Sequence, residues 1–307
     1  MSDSRITIGT YNVCNMFGKE EAERSQGRLP VKSEKSLEAL AENIQRADAD
    51  IVTLQECSTK ENLENFLDSH GLDDEYRYVA HVPGNDYRGI NVAVISKFPF
   101  CEVISHKDAK FPLADGGSQT KFTRDLLRVD LDIDGIPGAD LSVYTTHLKS
   151  RRPSAPGHAP AEARRLSEGQ AVRRIAEEEM RGYPERPFVI TGDFNDTAED
   201  ASVRAVLSPG GGQEEWKDTL EGIPEPERAT WPSNPRKSGG FSPRQFDHII
   251  FPENRNAVLQ SSRVHRYEQS QSGDICRVSS TASDHLMLTA DFKIFGIDVP
   301  GKQTNLP

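Results

Sequence analysis

The chain has 307 residues, of which 35% are hydrophobic and 28% are charged, and its formal net charge is −11. This composition is typical of a globular protein with a large polar surface and excludes an intrinsically disordered chain. The acidic balance argues against a protein that coats nucleic acid nonspecifically, and no apolar run approaches the roughly 18 to 20 residues of a membrane span. The N-terminal sequence lacks the pattern of a secretory signal, so we expect a cytoplasmic protein without a membrane span.

The first 56 residues predict a strand, a long loop, a helix and a second strand. Residues 5–13 alternate in the manner of a strand, and residues 33–50 have apolar side chains at helical spacing, with Ser33 as the N-cap. The apolar run at 50–56 predicts a buried strand that ends on Glu56.

The rest of the chain predicts many short strands and a few helices. Helices are expected at 62–71, at about 161–181 and at 199–207, and the Pro-rich and Gly-rich stretches at 151–160 and 221–244 predict loops. Further strands are expected near 76–81, 90–96, 101–106, 126–133, 139–150, 186–196, 245–251, 257–267 and 284–294.

No shift in composition and no repeat of fixed period divides the chain. We therefore expect one domain over residues 1–296, followed by a loose C-terminal tail at 297–307. The four cysteines lack the paired spacing of a disulfide framework or a zinc site, so each is predicted to be a small buried side chain. They are Cys14, Cys57, Cys101 and Cys276.

Two segments are basic in this acidic chain. Residues 149–174 hold seven Lys and Arg against two Glu, and residues 228–244 hold four Lys and Arg and no acid. They are candidates for contacts with nucleic acid phosphates, but chance clustering on a solvated surface explains them equally well.

Polar side chains recur where predicted strands end. Strand ends hold side chains rigidly at a common rim, so residues far apart in the sequence can converge there. Taken singly, each such residue is most simply an exposed or capping side chain. The residues are Asn12, Glu56, His147, Asp193, Asn195, Asp247, Asp284 and His285.

Eight short motifs in order resemble the endonuclease/exonuclease/phosphatase family over residues 5 to 294. They are TYNV, LQE, RGINVAVISKFPF, TRDLLRV, TTHLKS, TGDFND, FDHII and SDHLML. The resemblance implies an α/β (α+β) fold, a four-layered α/β/β/α sandwich of two mixed sheets flanked by helices. It also implies hydrolysis of phosphoesters with a divalent metal ion.

The resemblance assigns metal binding to carboxylate and amide side chains. Glu56 of LQE is the leading metal ligand, and Asn12 and Asp284 complete or support the site. Such oxygen donors suit Mg²⁺ or Mn²⁺, and no cluster of Cys and His favours zinc.

The TGDFND motif carries the residues expected to act on water and phosphate. Asp193 matches the aspartate that orients or deprotonates the attacking water, and Asn195 matches the asparagine that binds a phosphate oxygen. Strand alternation would send both side chains the same way and Asp196 the other way, as a turn or cap residue.

Two histidines, an aspartate and an arginine also match family positions. His285 resembles the histidine that stabilises the transition state, and Asp247 the carboxylate that orients it. His147 resembles a second histidine that contacts phosphate and serves as an acid in some members, and Arg124 an arginine that grips phosphate. His248 should point to the opposite face of its strand and is predicted to be structural.

Tyr87 and Arg88 precede GINVAV, a region near the site in this family, and are candidates for contacts with substrate.

Three hypotheses follow. The first is a metal-dependent phosphodiesterase, a nuclease that cleaves DNA or RNA by in-line attack of an activated water. The second is a lipid or small-molecule phosphoesterase of the sphingomyelinase or phosphatase kind, and the third is an inactive binding module on the same fold. The basic segments favour the first, with a nucleic acid as the phosphodiester substrate and no obligate protein partner inferred.

Overall fold

Fourteen strands and seven helices are found in the computed structural model, which describes residues 3–24, 29–116, 118–208, 214–232, 242–253, 255–266 and 279–299. The strands are β1 (Ser4–Met16), β2 (Ile51–Cys57), β3 (Tyr78–His81), β4 (Asn91–Ser96), β5 (Phe100–Ser105), β6 (Phe111–Pro112), β7 (Gln119–Thr120), β8 (Leu126–Leu131), β9 (Leu141–His147), β10 (Phe188–Asp193), β11 (Lys217–Asp218), β12 (Asp247–Phe251), β13 (Ala257–Val264) and β14 (Leu288–Ile294). The helices are α1 (Lys19–Arg24), α2 (Glu34–Ala47), α3 (Lys60–Ser69), α4 (Ala161–Met180), α5 (Ala201–Leu207), α6 (Glu225–Arg228) and α7 (Ser279–Ala282).

Two six-stranded sheets form the centre of the molecule. Sheet A has the strand order β13-β14-β1-β2-β4-β3, and sheet B has the order β11-β12-β10-β9-β8-β5. Each sheet has one parallel pair, β1 with β2 and β9 with β10, and its other pairs are antiparallel. Parallel neighbours need a crossover, which α2 supplies in sheet A and α4 in sheet B.

The sheets pack face to face through aliphatic side chains. Residues of sheet A such as Ile8 and Val94 join Val129, Val143 and Ile249 of sheet B in one buried cluster. Because strand side chains alternate between the two faces, each sheet also has an apolar outer face. Helices α2 and α3 cover that face of sheet A, and α4 and α5 cover that of sheet B. The result is the predicted four-layered sandwich.

The predicted long elements are found, with small shifts at their ends. Ser33 caps α2 by accepting a hydrogen bond from the Ser36 amide. Helix α3 ends at Ser69, close to Gly71, whose φ of +65° is readily available to glycine.

The structure also contains short elements that were not predicted from the sequence. They are α1, β6, β7, β11, α6 and α7. Residues 233–241, which fall within the loop predicted at 221–244, lie outside the described residues.

The C-terminal tail is not loose at its start. Ile297 and Val299 are buried, and the Ser4 hydroxyl accepts a hydrogen bond from the Val299 amide while donating one to the Ile297 carbonyl. The cysteine prediction was also wrong in part, because Cys101 is exposed and Cys14 half-buried, whereas Cys57 is buried. Cys276 is outside the described residues.

Within the described ranges, no helix is both long and apolar enough to cross a membrane.

Candidate active site

Three neighbouring strands of sheet B bring polar side chains to one level. Asp193, the last residue of β10, pairs with His147 at the end of β9 and with Asp247 at the start of β12. All three residues are buried. The preceding Gly192 has a φ of +135°, and a Cβ atom there would lie 2.0 Å from the Thr146 carbonyl oxygen, so the strands can approach this closely only with glycine.

Sheet A contributes Asn12 and Glu56 from the ends of its parallel strands. The Asn12 side-chain amide donates to Asp193 at 2.9 Å and, over a longer distance of 3.4 Å, to Glu56. The Asn15 backbone amide donates to the other Glu56 oxygen at 2.8 Å. Glu56 has a φ of +69°, a conformation that costs a non-glycine residue free energy and turns the chain at the strand end.

His285 reaches the same cluster from the segment before β14. Its Nδ1 lies 2.7 Å from Asp247 Oδ2, and its Nε2 lies 3.8 Å from Asp193 Oδ2. Ser283 fixes the segment, because its hydroxyl donates to the Asn12 carbonyl at 2.6 Å and accepts from the His285 amide. The cluster thus joins both sheets around Asp193.

The charges in this cluster support one another. Burial lowers the pKa of His285, but the negative charges of Asp247 and Asp193 outweigh burial and raise that pKa well above its usual value. His285 is therefore a cation at neutral pH. Burial raises the pKa of Asp193 to about 7, while the His285 charge opposes this rise. A carboxylate that titrates near neutral pH is suited to accept a proton from water.

His147 is neutral in this environment. Burial, and then the positive charges of Arg124 and His285, lower the pKa of His147 well below its usual value. Its Nε2 is 3.4 Å from Asp193 Oδ2, and its Nδ1 is buried without a hydrogen-bond partner in the part of the chain that the structure describes. A neutral imidazole can donate a hydrogen bond to substrate, but the geometry does not favour a protonated acid at this position.

Asn195 and Arg124 meet at one carbonyl. The Leu148 carbonyl accepts from Arg124 Nη1 at 2.8 Å and from Asn195 Nδ2 at 3.2 Å. Asn195 does not follow strand alternation: its φ is +55°, and its backbone amide donates to Asp193 Oδ1. The side chain reaches the site because the chain turns after β10, so the reasoning from alternation was wrong although Asn195 lies beside Asp193.

Tyr87 and Arg88 lie on the turn before β4. Tyr87 is 91% exposed, and Arg88 pairs with the buried Asp86 through two side-chain hydrogen bonds of 3.0 and 2.8 Å. Arg88 is close enough to the cluster for charges to interact: its positive charge helps to lower the pKa of His147, and the negative charge of Glu56 helps to raise the pKa of Arg88. This turn therefore borders the cluster.

The oxygen donors at Glu56 and Asp284 fit a hard divalent cation. Glu56 is half-buried and Asp284 is exposed, and burial together with their two negative charges raises the pKa of the intervening Cys14 thiol to about 12. Carboxylate oxygens are the preferred ligands of Mg²⁺. The Asn12 amide oxygen accepts from the Cys14 backbone amide, so Asn12 holds Glu56 and Asp193 in place more directly than it offers an oxygen to a metal.

Asp193, Asp247 and His285 also place ligand atoms within 4.8 Å of one another. The hydrogen bond between Asp247 and His285 already joins two of these three groups, whereas Glu56 and Asp284 do not pair with each other.

Two residues near the motifs face away from the cluster. Asp196 is buried and pairs with Arg165 at 2.6 Å and with the Ser202 hydroxyl, so it joins helices instead of capping a turn. His248 lies between Asp218 and the Asp196 carbonyl, which agrees with a structural residue.

Several residues at the candidate site were not predicted from the sequence. Asp86, Ser283, Cys14 and Lys32 contact or border it, and Lys32 donates to the Cys14 carbonyl at 3.0 Å. Asp86 and Ser283 each lie within two residues of a predicted site residue, and that proximity was the only signal available.

The sequence profile of the Endonuclease/Exonuclease/phosphatase family matches residues 9–285. No curated protein sequence matches the chain. Among solved structures, a family protein from Bacteroides thetaiotaomicron is 17% identical with a TM-score of 0.63, over 98% of this chain and 99% of that one. The human Nocturnin catalytic domain with bound sulfate is 16% identical with a TM-score of 0.63, over 95% and 96%. D. rerio TDP2 complexed with single-strand DNA product is 19% identical with a TM-score of 0.60, over 94% and 99%. At these identities the structural likeness concerns the fold.

Proposed function

The chain belongs to the endonuclease/exonuclease/phosphatase family, whose members hydrolyse phosphoester bonds, and we propose that it is a divalent-metal-dependent phosphodiesterase acting on nucleic acid. The observation that carries the proposal is the position of Asp193. Its carboxylate lies within hydrogen-bond or ion-pair distance of Asn12, His147 and His285, at the place where both sheets end.

The side chains around Asp193 can divide the work of hydrolysis. Asp193 orients a water molecule and takes its proton as the water attacks phosphorus in line with the leaving oxygen. The cationic His285, held by Asp247, donates to a phosphate oxygen on which charge develops. Arg124 and Asn195, which share the Leu148 carbonyl, bind a second phosphate oxygen, and neutral His147 adds a further donor.

Glu56 and Asp284 would hold Mg²⁺ or Mn²⁺, and Asn12 would keep Glu56 in place. A divalent cation at this position supplies positive charge against the phosphate and the leaving oxygen. The site offers oxygen donors to such an ion, and the neighbouring Cys14 thiol has a raised pKa and stays protonated.

The charge beside the cluster favours a nucleic acid as the substrate. Lys149, Arg151 and Arg152 follow closely on Leu148, and the Arg151 side chain, which is 47% exposed, lies 5.7 Å from the centroid of the Phe246 ring, next to Asp247. Basic side chains that continue from a phosphate site suit a chain of successive phosphates. D. rerio TDP2, which shares the fold, was solved in complex with a single-strand DNA product, and this is in keeping with the same substrate class. Much of the second basic segment, at 233–241, is outside the described residues.

The experiment is a panel of substrates assayed with and without a chelator. We expect hydrolysis of DNA or RNA, no activity in excess EDTA, and recovery on addition of Mg²⁺ or Mn²⁺. Asp193→Asn and His285→Ala should abolish turnover while the circular dichroism spectrum stays unchanged. Full activity in EDTA, or hydrolysis of sphingomyelin or inositol phosphates but no nucleic acid, would contradict the proposal.

A further inference from the structure

Asp86 holds the two arginines at the edge of the site together. Its Oδ1 accepts from the backbone amide and Nε of Arg88, at 2.9 and 3.0 Å. Its Oδ2 accepts from Arg88 Nη2 at 2.8 Å and lies 3.3 Å from Arg124 Nε. The side chains of Asp86 and Arg124 are only 4% and 3% exposed, whereas that of Arg88 is 34% exposed.

Backbone contacts fix this group against the candidate phosphate site. The Asn85 amide donates to the Arg124 carbonyl at 2.9 Å, so the turn that carries Asp86 lies directly on the segment of Arg124. Arg124 in turn reaches the Leu148 carbonyl, which it shares with Asn195. These contacts join the two arginines and Asp86 to the candidate phosphate site as one unit.

Asp86 itself cannot bind an anionic substrate. Its two oxygens are already engaged by guanidinium and amide groups, and a carboxylate repels phosphate. Arg88 Nη1 and Arg124 Nη2, by contrast, make no hydrogen bond to the part of the chain that the structure describes. Asp86 acts through the arginines, as a positioning residue.

The charge of Asp86 affects phosphodiesters and phosphomonoesters differently. Two guanidinium groups carry two positive charges, and Asp86 leaves a net charge of one. A phosphodiester carries one negative charge, whereas a phosphomonoester carries close to two at neutral pH. A buried carboxylate next to the anion site therefore repels a phosphomonoester about twice as strongly as a phosphodiester, whatever cations the site also holds.

Resting on the proposed function, we propose that Asp86 makes the site selective for phosphodiesters over terminal phosphomonoesters by neutralising one of the two arginines beside the candidate phosphate site. The unit fits an internal phosphate of a nucleic acid chain and disfavours a terminal phosphate.

The test compares bis(p-nitrophenyl) phosphate with p-nitrophenyl phosphate, which share a leaving group and differ by one negative charge. The measured quantity is the ratio of kcat/KM for the monoester to that for the diester. In Asp86→Asn this ratio should rise about tenfold, since a unit charge near the anion is removed. In Arg88→Gln it should fall by a similar factor, because the unit then has no net charge. If the monoester is turned over too slowly, its Ki as a competitive inhibitor of diester hydrolysis replaces kcat/KM.

Opposite shifts in the two variants separate charge selection from simple loss of structure, which would change both substrates together. Asp86→Glu, which keeps the charge, should keep the wild-type ratio. The matched control is Asp48→Asn, which removes an exposed carboxylate that pairs with Lys97. Asp48 precedes β2 and lies at the opposite end of that strand from Glu56. This variant should leave the ratio unchanged. If Asp86→Asn does not fold, the fall in Arg88→Gln alone decides the question. Equal changes on both substrates would overturn the inference, whereas a wild-type protein inactive on both esters and on DNA and RNA would contradict the proposed function.

Discussion

Asp247→Asn tests the electrostatic role of the pair with His285. The amide has the shape of the carboxylate, and the backbone amide of residue 247 stays bound to the Thr230 hydroxyl at 3.0 Å, so the fold should be kept. The variant removes the charge that lies 2.7 Å from His285 Nδ1. Loss of a buried charge-assisted hydrogen bond costs about 2 to 3 kcal/mol. If that free energy is needed in the transition state, kcat falls by about 30- to 150-fold.

The assay is steady-state hydrolysis of bis(p-nitrophenyl) phosphate with saturating Mg²⁺, which separates kcat from KM. We expect KM to change little, because the interaction strengthens as charge develops on phosphate. Asp218→Asn is the matched control: Asp218 pairs with His248 in an equally buried aspartate–histidine pair that faces away from the site. It should lower stability and leave kcat within about threefold of the wild type. The reasoning is refuted if Asp247→Asn keeps a third or more of the wild-type kcat, or if the control loses as much.

Three further predictions concern the metal, pH and the backbone. Glu56→Gln should weaken Mg²⁺ binding about tenfold or more in calorimetry, because it removes a charged oxygen donor; unchanged affinity would place the ion elsewhere. Burial lowers the pKa of His248, but the negative charge of Asp218 outweighs burial, and the pKa is raised. The pair therefore contributes its full stability below about pH 6.5, the pKa of histidine in the unfolded chain. This contribution is lost as pH rises through the higher pKa of the folded state. Urea unfolding should therefore show a loss of stability as pH rises above about 6.5 that is smaller in Asp218→Asn, and equal losses would contradict this. Gly192→Ala should destabilise the protein by about 3 kcal/mol or more, since the new Cβ atom meets the Thr146 carbonyl in a strained backbone; a loss below about 1 kcal/mol in urea unfolding would show that the strands can separate.

The sandwich could be predicted from the sequence, and so could the strand ends at which the candidate site residues converge. Strand periodicity located the long strands, and the order of motifs indicated which strand ends converge. Glu56, Asp193, Asp247 and His285 could be selected because each follows or precedes an apolar run at a motif position. The structure brings these four residues into one cluster. Their catalytic and metal-binding roles remain predictions.

What could not be predicted depends on backbone turns and on contacts between distant segments. Asn195 reaches the site through a left-handed residue, which strand alternation does not anticipate. The Leu148 carbonyl gives no side-chain signal at all, and Asp86 can be recognised only once Arg88 and Arg124 are seen on either side of it. The charge of His147 likewise depends on burial and on neighbouring cations, neither of which can be read from its motif.

The place of β1 in sheet A has a consequence for synthesis on the ribosome. β1 pairs with β2, which follows soon after it, but its other edge pairs with β14, near the far end of the described chain. A nascent chain that has not yet produced β14 has an open edge in the middle of this sheet and also lacks His285. Closure of this sheet and assembly of the cluster around Asp193 therefore coincide, because both require the segment from His285 to β14.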